Sequence, residues 1–146
     1  MENQLIEVVN RQRKIKIDVK RWREFAGQAT GGVDEAAGKS LTIAFVSDVK
    51  MRELNRFYRG KTTTTDVLSF LSEPDEFEDN ENYLGDIVIS LEQAEKQAKE
   101  NNLKFETEIK QLILHGILHL CGYDHEADAG EMNKKELDIR DKLKIM

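Results

Sequence analysis

The sequence predicts an α+β domain, a small mixed sheet of four strands with about five helices packed on it. Three observations predict it. Four six-residue apolar runs, at 4–9, 41–46, 66–71 and 84–89, are rich in Val, Ile, Leu and Phe and read as strands. Between and after them, apolar residues recur every three or four positions, the period of a helix with one buried face. No repeat, linker or low-complexity stretch divides the 146 residues, so 1–146 reads as one domain, long enough to bury a core.

The elements follow in order. Residues 4–9 form the first strand. Asp18 caps a helix through about Ala29, with Val19, Trp22, Phe25, Ala26 and Ala29 on its apolar face, and Gly31-Gly32 stops it. Residues 41–46 are the second strand. Ser47 or Asp48 caps the next helix, which runs to about Tyr58 with Met51, Leu54, Phe57 and Tyr58 as its buried stripe. Residues 66–71 are the third strand. The acidic run from Glu73 to Glu81, with the only Pro (Pro74), reads as a solvated mobile loop. Residues 84–89 are the fourth strand, and Ser90 caps a helix over 91–101. Thr107 and Glu108 open an apolar central helix ending near Cys121. A last amphipathic helix runs over about 130–144, with Met132, Leu137, Ile139 and Leu143 apolar. Trp22, Phe25 and Phe57 are spaced as core residues.

Composition excludes several classes. Apolar residues are 39% and charged residues 34% of the chain, a soluble balance. One Cys forms no intramolecular disulfide. No stretch reaches the ~18 apolar residues of a membrane span, and the N-terminus lacks a signal-peptide pattern. The expectation is a cytoplasmic protein without membrane partners. The net charge of −6 argues against nucleic acid, since phosphates need Lys and Arg. Its distribution weakens that objection. Residues 1–61 carry 13 basic and 8 acidic side chains, residues 62–146 only 9 and 20, so a basic face can coexist with an acidic total.

All three histidines lie within eleven residues, His115, His119 and His125. Residues four apart on a helix point about 40° apart around the axis, so His115 and His119 share a face. Gly122 can take the left-handed conformation that ends the helix and turns His125 back toward the same point. Three imidazoles with an open fourth position are the ligand set of a catalytic zinc, one per chain, at the end of the central helix. Such a zinc acidifies water toward a pKa of ~7 and polarises a phosphate. Cys121 falls on another face and reads as a packed core thiol. The spacing is also that of metzincin proteases, in which a Glu after the first His is the base. Here that position is Gly116, which cannot accept a proton.

The run His115-Gly116-Ile117-Leu118-His119-Leu120-Cys121-Gly122-Tyr123-Asp124-His125 resembles the signature of the YbeY family of metal-dependent endoribonucleases. Two further segments agree in order, Leu54-Asn55-Arg56-Phe57-Tyr58-Arg59-Gly60-Lys61 leading to Thr65-Asp66-Val67-Leu68-Ser69-Phe70, and Leu84-Gly85-Asp86-Ile87-Val88-Ile89-Ser90. The run Thr62 to Thr64 is a mild departure. The resemblance implies single-strand-specific RNA cleavage, a role in small-subunit ribosomal RNA 3′-end processing and ribosome quality control, and a zinc on the three histidines. It also implies a functional arginine, here Arg59, whose guanidinium would grip a phosphate. Lys61 is a second RNA-binding candidate. Asp66 and Asp86 are candidate carboxylates for orienting a zinc-bound imidazole, or caps of turns. Asp124 reads as shaping the turn beside His125. Two other readings stay open. One is a non-catalytic, zinc-stabilised ribosome assembly factor with ribosomal or assembly-protein partners. The other is a metallohydrolase with a non-RNA substrate. Attack by water and attack by the RNA 2′-hydroxyl are both compatible with these residues.

Overall fold

The computed structural model describes residues 4–72, 82–123 and 130–145. His125, Asp124 and the acidic run Glu73 to Glu81 lie outside the described residues.

Strand β1 (Ile6–Asn10) pairs in parallel with β2 (Ser40–Val46), and β2 in parallel with β4 (Tyr83–Ser90). Strand β3 (Val67–Leu71) runs antiparallel to β4, so the mixed sheet has the order β1-β2-β4-β3 with β3 at an edge. Helices α1 (Val19–Gly31), α2 (Asp48–Arg59), α3 (Leu91–Glu100), α4 (Phe105–Leu120) and α5 (Glu131–Leu143) complete the fold. The expected α+β class forms, with four strands and five helices among the described residues. No described helix is long and apolar enough to cross a membrane.

Local chemistry explains the helix starts. Asp18 accepts a hydrogen bond from the Arg21 amide at 3.3 Å, and Ser47 accepts from Lys50 at 3.2 Å. Ser90 accepts from Gln93 at 3.3 Å. Each satisfies a donor that the first helical turn leaves open. Helix α4 starts at Phe105, two residues before the expected Thr107, without a side-chain cap. Phe105 packs against the main core, so burial sets this start.

Alternation along the strands gives the sheet two covered faces. Leu41, Ile43, Phe45, Ile87 and Ile89 join α1 and α4 in the large core, around Trp22, Phe25, Ile113 and Ile117. Val46, Leu68 and Val88 meet Met51 of α2 in a smaller cluster on the other side. Helix α4 lies close against the sheet at Gly116, where an added Cβ would stand 2.9 Å from two side-chain carbons of Ile87.

Two expectations about burial fail. Phe57 is 79% exposed and Tyr58 58% exposed. The small cluster under α2 is filled by Met51 and Leu54, and in the last turn Tyr58 meets the ring of Phe70. Leu137 is also exposed, while Met132 and Ile139 of α5 are buried. Trp22 and Phe25 are core residues as expected. Cys121 packs against the core, and burial pushes its thiol up to about 11.

Candidate active site

Helix α4 ends as the spacing of Gly122 requires. Gly122 has φ +96° and donates to the His119 carbonyl at 3.0 Å, while the Tyr123 amide donates to Leu118 at 3.0 Å. This pair of bonds is a Schellman motif, which caps the last carbonyls and reverses the chain. His115 and His119 lie in the two turns before it, with ring centroids 4.5 Å apart and Nε2 atoms 3.0 Å apart.

Both rings line a cavity of about 510 Å³, together with Arg59, Thr65, Asp66, Ser69, Leu71 and neighbouring side chains of β3 and α4. Three chain segments thus meet at one opening. Arg59 reaches it because Gly60, in the left-handed region at φ +66°, ends α2 there. Asn55 donates to the Thr63 carbonyl at 2.7 Å and holds the following loop against the helix.

The histidine-orienting carboxylate is Glu136 of α5, which sequence reasoning missed. It is buried, its Oε1 lies 3.3 Å from His115 Nδ1, and its Oε2 accepts from Arg140 at 3.2 Å. A signal for it existed. Glu136 falls four residues after Met132 and three before Ile139, inside the buried stripe of its helix, where an unpaired carboxylate is costly.

The other candidates separate. Asp66 lines the cavity, while the carboxylate beside His115 Nδ1 is that of Glu136. Asp86 is a correction. It lies between Gly85 and Ile87, whose side of β4 faces α4, and so projects from the opposite face of the sheet. There it accepts a hydrogen bond from Tyr83 at 2.5 Å. Burial, then that bond, raise Tyr83 to about 12. Lys61 is exposed and is not among the cavity-lining residues. Burial, and then the neighbouring Asp66, raise the Glu108 carboxyl above the usual carboxylate range, against the pull of Arg140.

A divalent ion fits the pair of imidazoles. Nitrogens about 2.0–2.1 Å from one tetrahedral zinc stand roughly 3.3–3.4 Å apart. The observed 3.0 Å is a few tenths shorter, a difference that small ring rotations absorb. A proton donated from Nδ1 to Glu136 leaves the His115 Nε2 lone pair facing the cavity. Among the described residues two imidazoles meet here, and the third expected ligand, His125, lies outside them.

Comparison with known proteins gives a consistent answer. A family model described as "Endoribonuclease YbeY" matches residues 7–144. The chain is similar to the endoribonuclease YbeY of Clostridioides difficile (strain 630), 48% identical over 72% of this chain and 72% of that one. The counterpart in Aquifex aeolicus is 44% identical over 86% of this chain and 79% of its own length. That of Thermodesulfovibrio yellowstonii is 38% identical over 95% and 97%. The solution structure of TM1509 from Thermotoga maritima superposes with a TM-score of 0.61 at 26% identity, covering 96% of this chain and 92% of that one.

Proposed function

The chain belongs to the endoribonuclease YbeY family, and on that premise we propose that it is a zinc-dependent endoribonuclease cutting single-stranded ribosomal RNA. The proposed role is small-subunit 3′-end maturation and ribosome quality control in the cytoplasm. The observation that carries the reading is the meeting of two imidazoles, a guanidinium and a carboxylate at one cavity.

The residues divide the work by chemistry. His115 and His119, with His125 as third ligand, would hold one zinc per chain. Bound there, zinc would supply acidified water and Lewis-acid polarisation of the phosphate. Glu136 fixes the tautomer of His115 and is itself held by Arg140. Arg59 grips a non-bridging phosphate oxygen and offsets the charge that develops on it. Asp66 is the carboxylate among the cavity-lining residues and would take a proton from the attacking oxygen. Lys61, on the exposed loop beyond, adds attraction for the RNA backbone. Position 116 supports RNA over peptide as substrate. It packs on Ile87, so no general base of the metzincin kind has room there.

Purified protein and an identically purified His119→Ala variant, each incubated with a labelled ribosomal RNA 3′-terminal fragment, test this. Wild type is expected to cleave while the variant neither cleaves nor retains zinc. Equal cleavage by both, or cleavage surviving loss of zinc, overturns the reading. Absence of cleavage together with intact assembly activity in an Arg59→Ala variant would identify a non-catalytic assembly factor instead.

A further inference from the structure

The last turn of α2 exposes two aromatic rings. Phe57 and Tyr58 meet edge to face with centroids 4.8 Å apart, and Tyr58 rests on Phe70 of β3, also at 4.8 Å. These contacts brace the pair without covering it, since both rings remain mostly exposed. A lone exposed apolar side chain is ordinary. Two adjacent rings braced by a third, next in the chain to an arginine that lines the histidine cavity, need a reason.

The same helix carries a row of arginines, about 130° around its axis from the two rings. Arg52, Arg56 and Arg59 recur at spacings of four and three along one side of α2, over about 10.5 Å of helix. Arg52 pairs with Asp48 at 3.6 Å. Arg56 and Arg59 form no ion pair among the described residues. Arg52 and Arg56 line a groove of about 320 Å³ with Val49, Glu53 and Thr62, while Arg59 lines the histidine cavity. The rings therefore share the last helical turn with Arg56 and Arg59, which leave the helix on another side and have no ion-pair partner among the described residues.

We propose that Phe57 and Tyr58 form a stacking platform for an unpaired base next to the phosphate held by Arg59. The inference rests on the RNA reading above and deepens it. Stacking on an aromatic face tolerates any base sequence. It requires a base not already covered by duplex neighbours. The platform would thus favour single-stranded over double-stranded RNA close to the scissile bond.

The test measures binding of a short fluorescein-labelled single-stranded oligoribonucleotide, on a His119→Ala background so that turnover does not intrude. Phe57→Ala is expected to weaken binding roughly 5- to 100-fold, and Phe57→Trp to retain it. Tyr58→Leu keeps an apolar contact for Phe70 and is expected to weaken binding in the same direction. Removing one base of the oligonucleotide at the platform position should cost the parent protein a similar factor and the Phe57→Ala protein little more. Unchanged binding by Phe57→Ala, whether or not that variant loses a ribosomal protein contact, overturns the platform. Arg59→Ala separates the two ideas. If it weakens binding while Phe57→Ala does not, the RNA reading stands and the platform falls. If neither variant matters and wild type cuts no RNA, the underlying reading fails and the platform with it.

Discussion

Glu136 and Gly116 show how single positions shape the surroundings of the histidines. Glu136→Gln keeps a hydrogen-bonding amide beside His115 but removes the charge that favours the Nδ1 proton. We expect zinc affinity and RNA cleavage to fall about 10- to 100-fold, read by competition with a chromophoric chelator and by cleavage rate, with the thermal transition little changed. Gly116 faces Ile87 rather than the cavity. Gly116→Ala should gain about 1 kcal/mol of helix propensity and lose about 1–3 kcal/mol to overpacking. The net expectation is a protein up to about 2 kcal/mol less stable by urea unfolding, and a more stable variant would disprove the tight packing. The histidine spacing made the ligand pair legible. Glu136 was obscured because a Glu in a charge-rich helix looks like any solvated residue until the helix docks.

Helix termini and helix pairs differ in what holds them. Asp18 supplies a cap bond that the α1 backbone cannot replace internally. Asp18→Ala should therefore cost about 0.5–2 kcal/mol. Arg21 and Glu106 form a double hydrogen bond, 2.7 Å on each arm, between α1 and α4. Both side chains are about half exposed, and exposed pairs are worth about 0–1 kcal/mol. Arg21→Ala is thus expected to cost less than Asp18→Ala when both are unfolded in the same denaturant series; the reverse order would mean the inter-helix bridge is more shielded than its exposure implies. The caps at Asp18, Ser47 and Ser90 were legible because the competition they settle is local. The inward turn of Phe57 and Tyr58 was expected from periodicity and is not what occurs. Periodicity marks a face, but whether a partner lies beneath the last turn depends on where the strands end.

For the whole molecule, alkaline pH reads the sheet face opposite the histidines. Tyr83 has a folded pKa of about 12, raised first by burial and then by Asp86. Between about pH 10 and about 12 the unfolded chain releases this proton and the folded one keeps it. Its contribution is complete below about pH 10 and is lost as pH rises through that window. Thermal stability should fall over that range, and Tyr83→Phe should flatten the fall; an identical slope in the variant would place the proton elsewhere. Charge also acts at this scale. Arg59 of α2 lines the cavity, and Arg52 and Arg56 line a separate groove, while the net charge stays negative.

The sequence by itself determined the α+β class, the three helix caps and the pairing of His115 with His119, because each depends on residues a few positions apart. Family membership was legible for the same reason, as its motifs are short and contiguous. Tertiary structure decided what brings distant segments together. It set Glu136 rather than Asp66 or Asp86 beside His115, Arg59 at the histidine cavity, Asp86 on the far face of the sheet, and Phe57 in solvent. Those outcomes follow from sheet order and helix docking, which are fixed by the burial of the whole core rather than by any local preference.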